Sequence, residues 1–430
     1  MTDLRIEPVK LKGPVTVPPS KSLAHRAIIC ASLAKGRSEI KNIQYSDDIT
    51  ATIEGMQMLG AVIQKNEGSL SIEGIKDYAP TQGRTINCNE SGSTLRFLIP
   101  LATLFEGETH FTGQGKLGTR PLATYQAIFE KQGLKYESSN TGKLDLTVEG
   151  SLQPGAYEVR GDVSSQFITG LLLTLPLLGA TSEIRMTTPL ESEGYVDLTL
   201  SMLESFGIHI EFDKERQLFS IEGNQVYRAQ DVTIDGDYSQ AAFFLSARAL
   251  GNLVSVEGLN ERSLQGDRAI VSILEQLGGV QPNNNKGMNI FAEQLTIDQT
   301  IDGAQCPDII PIVALVAALS SGKTKIINLE RLRIKESDRL EATQKELAQL
   351  GADIEVDGDS LVIKGVDSLK GNTSVWSHKD HRIAMMLAIA STVCEAPIII
   401  KDTECVAKSY PDFWDIFEQL GGKSSEWNLG

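Results

Sequence analysis

NESGSTLRFLIPLATLFEG, residues 89–107, is the stretch on which the fold turns. A polar turn built on Asn89, Ser91 and Gly92 opens it, an apolar run of about three helical turns follows, and Gly107 closes it. The same plan recurs five more times at a spacing of about 70 residues. PPSKSLAHRAIICASLAKG starts at Pro18, GDVSSQFITGLLLTLPLLG at Gly161 and GDYSQAAFFLSARALG at Gly236. CPDIIPIVALVAALSSG starts at Cys306 and KDHRIAMMLAIASTVCEA at Lys379. A short strand, a polar loop and a second helix come after each. The second helices end alike, in MQMLGA, FEKQGL, LESFGI, LEQLGG, LAQLGA and FEQLGG, near a glycine suited to a helix C-cap. A hairpin of alternating apolar residues is then expected to close each unit.

The sixth repeat is cut short, because only KSSEWNLG follows FEQLGG. The first residues, LRIEPVKLKGPVTV, read as a hairpin with no repeat of its own. The N-terminal strands are therefore expected to complete the last repeat. The ring of repeats then closes and the chain crosses between halves twice, near residues 15–19 and 232–236. The fold expected is α/β (α+β). It has two similar domains, each of three βαβαββ-type units with buried helices and outer sheets, joined by two crossovers. One domain is residues 1–17 plus 235–430, the other 18–234.

Bulk composition bounds the function. Hydrophobic residues make up 41% of the chain and charged ones 22%, as in ordinary globular proteins. Among the apolar runs, residues 167–178 form the longest, too short for a membrane helix of about 20 residues. The first residues lack an apolar signal core, and none of the five cysteines forms a CxxC pair. A cytoplasmic location with reduced thiols, and neither disulfide framework nor structural zinc, is the expectation. A net charge of −16 argues against nucleic acid and anionic membranes as partners. It leaves open small anionic substrates, which feel the local field of a cleft.

Basic residues do gather, at the starts of the first helices. A helix N-terminus presents unpaired N–H groups and the positive end of its dipole, which favours anions. Lys21, Ser22 and Arg26 stand at the first such start; Ser91, Gly92, Ser93 and Thr94, with Arg96 one turn on, at the second. The others carry Ser164, Ser165 and Gln166; Asp237, Tyr238, Ser239 and Gln240; Asp308; and Asp380, His381 and Arg382. If the repeats are related by rotation, these ends should converge on one interdomain cleft suited to a doubly charged anion. Further cations lie in the loops: Arg120 before Pro121, a good first helical residue, then Arg331, Arg333, Lys335 and Arg339 around Glu336 and Asp338, and Lys408. Against this stands the plain reading that serine turns are N-caps and charges are solvated surface. His25 and His110 read as structural; His381, between Asp380 and Arg382, reads as functional.

Two motifs are decoys. GQGKLG, residues 113–118, fits GxGxxG, but the next helix is expected only at Pro121, so the phosphate geometry fails. SSGKT, residues 320–324, resembles the end of a P-loop but lacks its first glycine and follows a helix rather than a strand.

Seven segments in order, PSKSLAHR (19–26), NESGSTLRF (89–97), RP (120–121), SSQF (164–167), KESDRL (335–340), DHRIAM (380–385) and AKSYPDF (407–413), resemble the 5-enolpyruvylshikimate-3-phosphate synthases over the whole chain. The resemblance implies transfer of the enolpyruvyl group of phosphoenolpyruvate to the 5-hydroxyl of shikimate 3-phosphate with release of phosphate, in the pathway to aromatic amino acids. It implies that Lys21, Gly92, Arg96, Arg120, Gln166, Arg339, Arg382 and Lys408 surround phosphoenolpyruvate. Lys21, Ser22, Arg26, Ser164, Ser165, Gln166, Ser192, Tyr195, Asp308 and Lys335 would hold shikimate 3-phosphate. Asp308, Glu336, Lys21, Lys408 and His381 would carry the chemistry. No metal and no cofactor are implied, the chain is expected to act as a monomer, and glyphosate is expected to inhibit it. Gly194 precedes Tyr195 where some members carry Pro, and Arg331 stands where some carry Asn.

The sister family acting on UDP-N-acetylglucosamine is the alternative. It carries a Cys in the loop before the Arg-Pro pair, and GQGKLGTRP has none. A non-catalytic anion-binding protein on the same fold would not need Asp308 and Glu336 beside the cations.

Overall fold

The computed structural model describes residues 2–76, 83–139, 142–278 and 298–427. The chain divides into a discontinuous unit, Met1–Pro18 with Gly236–Gly430, and a continuous unit, Pro19–Asp235. Strands β1 (Leu4–Glu7) and β2 (Lys12–Thr16) come first. The first repeat is α1 (Lys21–Leu33), β3 (Arg37–Lys41), α2 (Asp47–Met58), β4 (Val62–Asn66) and β5 (Ser69–Glu73). The second is β6 (Arg84–Asn87), α3 (Gly92–Ala102), β7 (Thr109–Gly113), α4 (Ala123–Gln132), β8 (Lys135–Ser138) and β9 (Leu144–Glu149). The third is β10 (Ala156–Val159), α5 (Ser165–Thr174), β11 (Ser182–Met186), α6 (Glu193–Ser205), β12 (Ile210–Asp213) and β13 (Leu218–Ile221), with β14 (Val232–Thr233) after it.

In the discontinuous unit the fourth repeat is α7 (Tyr238–Ala249), β15 (Leu253–Glu257) and α8 (Ile270–Gln276). The hairpin expected to close it falls in residues 279–297, outside the described residues. The fifth is β16 (Gln299–Asp302), α9 (Ile310–Ala318), β17 (Lys323–Ile327), α10 (Arg339–Gln349), β18 (Asp353–Asp357) and β19 (Ser360–Lys364). The sixth is β20 (Thr373–Trp376), α11 (His381–Ser391), β21 (Ile398–Lys401), α12 (Phe413–Gln419) and β22 (Lys423–Glu426).

The sheets repeat one plan. The orders β6-β7-β9-β8, β10-β11-β13-β12 and β16-β17-β19-β18 are the same. In each, the leading strand runs parallel to the strand after the first helix, and the hairpin adds antiparallel. The first helix is the crossover that a parallel pair requires. The sixth repeat borrows its hairpin strand: β1 lies between β21 and β22, antiparallel to both. The completion expected of the N-terminal strands thus holds for β1. It fails for β2, which pairs in parallel with β15, Lys12 opposite Leu253. Correspondingly, β14 pairs in parallel with β3, Val232 opposite Ile40. Each of these leading strands stays in the unit that the chain is about to leave, and pairs there with the strand after another helix.

Every residue of α9 and α11 is buried, and so is every residue of α3 except Ser93. Helices apolar on all sides belong inside. Second helices such as α10 instead bury one face, here Leu340, Thr343 and Leu347 among others. Strands alternate, as in β11 with Ser182, Ile184 and Met186 buried and Glu183 and Arg185 exposed, so each sheet covers the helices and meets solvent. The two units have separate apolar cores.

Pro121 is not a first helical residue. A 3₁₀ turn, Gly115–Thr119, follows β7, and α4 starts only at Ala123. The Pro121 carbonyl accepts from Arg96 Nη2 at 3.0 Å, which holds this segment extended. At Gly118 an added Cβ would lie 2.3 Å from the Lys143 carbonyl carbon, so this glycine of the GxGxxG decoy serves close chain packing.

Candidate active site

In the continuous unit the serine turns do cap helices. Ser20 Oγ accepts from Leu23 N, Ser91 Oγ from Thr94 N and Ser164 Oγ from Gln166 N. The residues just inside the caps carry the site. Lys21 Nζ donates to Asp48 Oδ2 at 2.7 Å, from the first turn of α2. Asp48 was missed in the sequence, although its signal, Ser46-Asp47-Asp48 ahead of an apolar run, is an N-cap followed by acidic residues.

Gly92, Arg96, Arg120 and Gln166, from two helices and a loop, come together. Arg96 Nη1 donates to Gln166 Oε1 at 3.0 Å, and Gln166 Nε2 donates to Ser93 Oγ at 2.9 Å. A Cβ on Gly92 would stand 2.7 Å from Arg120 Nη1 and 2.8 Å from Arg96 Nη1. Two guanidiniums therefore converge on the start of α3. The Arg96 guanidinium also stacks over Phe167, 5.1 Å from the ring centroid.

Beneath these groups runs a buried chain of uncharged hydrogen bonds. His25 Nδ1 meets Thr52 Oγ1 at 2.7 Å, Thr52 meets Thr94 Oγ1 at 2.6 Å, and Thr94 Oγ1 donates to Ser91 Oγ at 2.7 Å. It ties α1, α2 and α3 together. Burial pushes the His25 imidazole down to about 3, with Lys21 and Arg26 adding to the shift and Asp48 opposing it, so it is neutral and structural.

Arg26 is buried among its partners. Its Nε donates to Thr199 Oγ1 at 2.8 Å, Nη1 to Ser22 O at 2.7 Å and Nη2 to Tyr195 O at 2.9 Å. Burial lowers its pKa to about 10, which leaves it charged at neutral pH. Ser22, Arg26 and Tyr195 are thereby joined. Ser192 stands just ahead of α6 with a left-handed backbone, φ 55°, and a buried side chain. Ser165 is buried in the first turn of α5.

In the discontinuous unit Arg339 is the hub, only 1% exposed. Its Nε donates to Asp380 Oδ2 at 2.8 Å, Nη1 to Asp308 Oδ1 at 2.9 Å and Nη2 to Glu336 Oε2 at 2.8 Å. Lys335 Nζ lies 3.3 Å and Arg382 Nη2 3.6 Å from the two Asp308 oxygens, and Lys408 Nζ lies 3.7 Å from Glu336 Oε1. Asp380, which the sequence offered only as a helix start, accepts from Ser337 Oγ and caps α11 through Arg382 N. His381 is buried, with Nδ1 3.8 Å from Asp380 Oδ1.

The charges here are tuned by one another. Burial works against an ionised Asp308, but Lys335, Arg339 and Arg382 outweigh it and hold the carboxyl well below the usual carboxylate range. Burial pulls the Lys335 ammonium down to about 8; Asp308 opposes that shift, and Arg331 and Arg339 add to it. Arg339 keeps its proton firmly: its three carboxylate partners outweigh burial and raise it above the usual guanidinium range. Three carboxylates meet four cations, so the cluster retains positive charge for an anion. It also holds an amine that can exchange a proton near neutral pH.

The profile of the family "EPSP synthase (3-phosphoshikimate 1-carboxyvinyltransferase)" matches residues 6–417. A 3-phosphoshikimate 1-carboxyvinyltransferase of Clostridium botulinum (strain Alaska E43 / Type E3) is 55% identical over the full length of both chains. One of Clostridioides difficile (strain 630) is 52% identical, again over both full lengths. The solved structure of EPSP synthase from Acinetobacter baumannii covers 99% of this chain, and this chain covers all of that one, with a TM-score of 0.79 at 23% identity, which shows the same fold. Family profile, full-length relatives and fold agree, and the chain belongs to the EPSP synthase family.

Proposed function

We propose that this enzyme transfers the enolpyruvyl group of phosphoenolpyruvate to the 5-hydroxyl of shikimate 3-phosphate and releases phosphate. The observation that carries the reading is the Arg339 cluster, where Asp308, Glu336 and Asp380 meet Lys335, Arg339, Arg382 and Lys408. Fixed cations suit the phosphate and carboxylate of phosphoenolpyruvate, and carboxylates beside a tunable amine suit proton transfer.

The acceptor hydroxyl attacks C2 of phosphoenolpyruvate as its proton passes to a base, and C3 takes a proton from an acid. The resulting tetrahedral adduct then loses phosphate from C2 and a proton from C3, restoring the double bond. Asp308 is the base in this reading. Its carboxylate is weakly basic while three cations face it, and gains basicity when a substrate anion draws on Lys335 and Arg382. Lys335, near pKa 8, and Lys408, beside Glu336, are the proton carriers, and His381 supports them from behind Asp380. Lys21, Gly92, Arg96, Arg120, Gln166, Arg339, Arg382 and Lys408 hold phosphoenolpyruvate. Lys21, Ser22, Arg26, Ser164, Ser165, Gln166, Ser192, Tyr195, Asp308 and Lys335 hold the shikimate ester. The two units are the two domains of the enzyme, which works as a cytoplasmic monomer in this reading.

Purified protein given phosphoenolpyruvate should release phosphate only when shikimate 3-phosphate is also present. Release with UDP-N-acetylglucosamine in its place would overturn the assignment.

A further inference from the structure

Just ahead of α11 the backbone does something unusual. His378 and Lys379, neither of them glycine, are consecutive left-handed residues, with φ 54° and 56°. Such a conformation persists where the surroundings enforce it. Glu346, on the second turn of α10 and 1% exposed, does so with both carboxylate oxygens. Its Oε1 bonds His378 Nε2 at 2.8 Å, and its Oε2 accepts from the Trp376 backbone N–H at 2.9 Å. The Trp376 ring lies against His378, centroids 4.2 Å apart, and its indole N–H donates to Asp402 Oδ2 at 2.8 Å. Asp402 is left-handed too, φ 57°, and its carbonyl accepts from Ser377 Oγ at 3.0 Å.

We infer that Glu346 and His378 are positioning residues for phosphoenolpyruvate binding, forming a clasp that aims Arg382 and Lys408 from behind. This rests on the function proposed above. Three segments leave the clasp and each ends in the charged cluster. Along α10 the seven residues from Glu346 back to Arg339 span about 10 Å. Along the chain, Asp380 and Arg382, at the start of α11, come two and four residues after His378. From Asp402 a 3₁₀ turn, Thr403–Lys408, delivers Lys408. The loop between His378 and Asp380 is thus held twice by one helix, through Glu346 at one end and through Arg339 at the other. Neither Glu346 nor His378 is bonded to a member of the cluster. Their effect has to travel through the backbone of the loop.

The bland alternative is that position 378 needs only a residue able to adopt a positive φ. His378→Gly separates the two, since glycine adopts that backbone freely but drops the bond to Glu346. Glu346→Leu breaks the clasp from the other side. Glu346→Gln is the rescue, since its amide oxygen can accept from Trp376 N–H and its NH₂ can donate to a neutral His378. Calorimetry gives phosphoenolpyruvate affinity without turnover, steady-state kinetics gives kcat and both KM values, and melting reports the fold. His378→Gly and Glu346→Leu should weaken phosphoenolpyruvate binding about tenfold or more, with KM for shikimate 3-phosphate within about twofold and Glu346→Gln near wild type. His378→Gly binding phosphoenolpyruvate as the wild type does would overturn the clasp, even if Glu346→Leu failed to fold. Wild-type protein that binds phosphoenolpyruvate but releases no phosphate would count against the proposed reaction, and the clasp would then be decided by calorimetry.

Discussion

Lys335 allows the sharpest test of the charged cluster. Its ammonium is brought down to about 8 from the ordinary lysine value of 10.5, with burial as the main cause and Asp308 opposing it at 3.3 Å. If catalysis needs this group protonated, kcat/KM should fall on the alkaline side with a midpoint near 8. About nine-tenths of the sites are charged one pH unit below the midpoint and about one-tenth one unit above it. Arginine keeps its proton across that range, so Lys335→Arg should flatten the alkaline limb even if its absolute rate is lower. The neighbours give the sign of two further shifts. Asp308 attracts the ammonium, so Asp308→Asn should move the limb to lower pH in whatever activity remains. Arg331 repels it, so Arg331→Met should move the limb to higher pH. Stability follows the same group with its own sign. An ammonium with a folded pKa below the unfolded one opposes folding while charged in both states, and that penalty fades as pH rises from about 8 to 10.5. The assay is phosphate release from pH 6 to 10 with both substrates at known saturation. An alkaline limb that Lys335→Arg leaves in place, or that Asp308→Asn and Arg331→Met move in the same direction, would refute the reasoning.

Three other outcomes are expected. Gly92→Ala places a methyl group within 3 Å of Arg96 and Arg120, whose flexible ends must give way; glyphosate, longer than phosphoenolpyruvate, should lose about tenfold or more in inhibition while the substrate KM rises less, and equal losses would count against it. Arg339→Met strips buried Asp380 and partly buried Asp308 and Glu336 of their shared cation and should cost about 3–5 kcal/mol in denaturant unfolding of the discontinuous unit; a loss below about 1 kcal/mol would show that the cluster is not a stabilising hub. Lys21→Met and Arg120→Met should lower kcat/KM by about 100-fold or more, with melting little changed for Arg120→Met and lowered for Lys21→Met, which takes the ammonium from buried Asp48; near-normal turnover in either would remove that residue from the anion site.

The repeat was legible because each first helix must be apolar on all sides to lie inside, and a turn with Ser, Asp or Gly must open it. That pattern survives in FLIPLA of α3 and MMLAIA of α11 without any need for local sequence identity. The exchange of β2 and β14 was not legible, because pairing partners depend on which unit a strand stays in. Pro121 misled because a proline starts a helix well only where the following residues are free to continue it, and here its carbonyl is committed to Arg96. Cationic residues of the site could be read from their places at helix starts and in loops. Of their partners, Asp308, Glu336 and Asp380 could be read at helix starts and in the same loop, whereas Thr52, Ser337 and Glu346 are ordinary helix and turn residues until the packing gives them something to hold.

The place of β1 sets an order of events at the ribosome. Leu4 pairs with Ile400 and with Glu426, so β1 lacks these two neighbours until Ile400 and Glu426 have been made. Pro19–Asp235 needs nothing from either end and can collapse while translation continues. The nascent protein therefore carries a finished half beside a waiting strand. A pause or truncation late in translation would leave β1 as an open edge, a ready template for pairing with another copy, until β21 and β22 arrive to cover it.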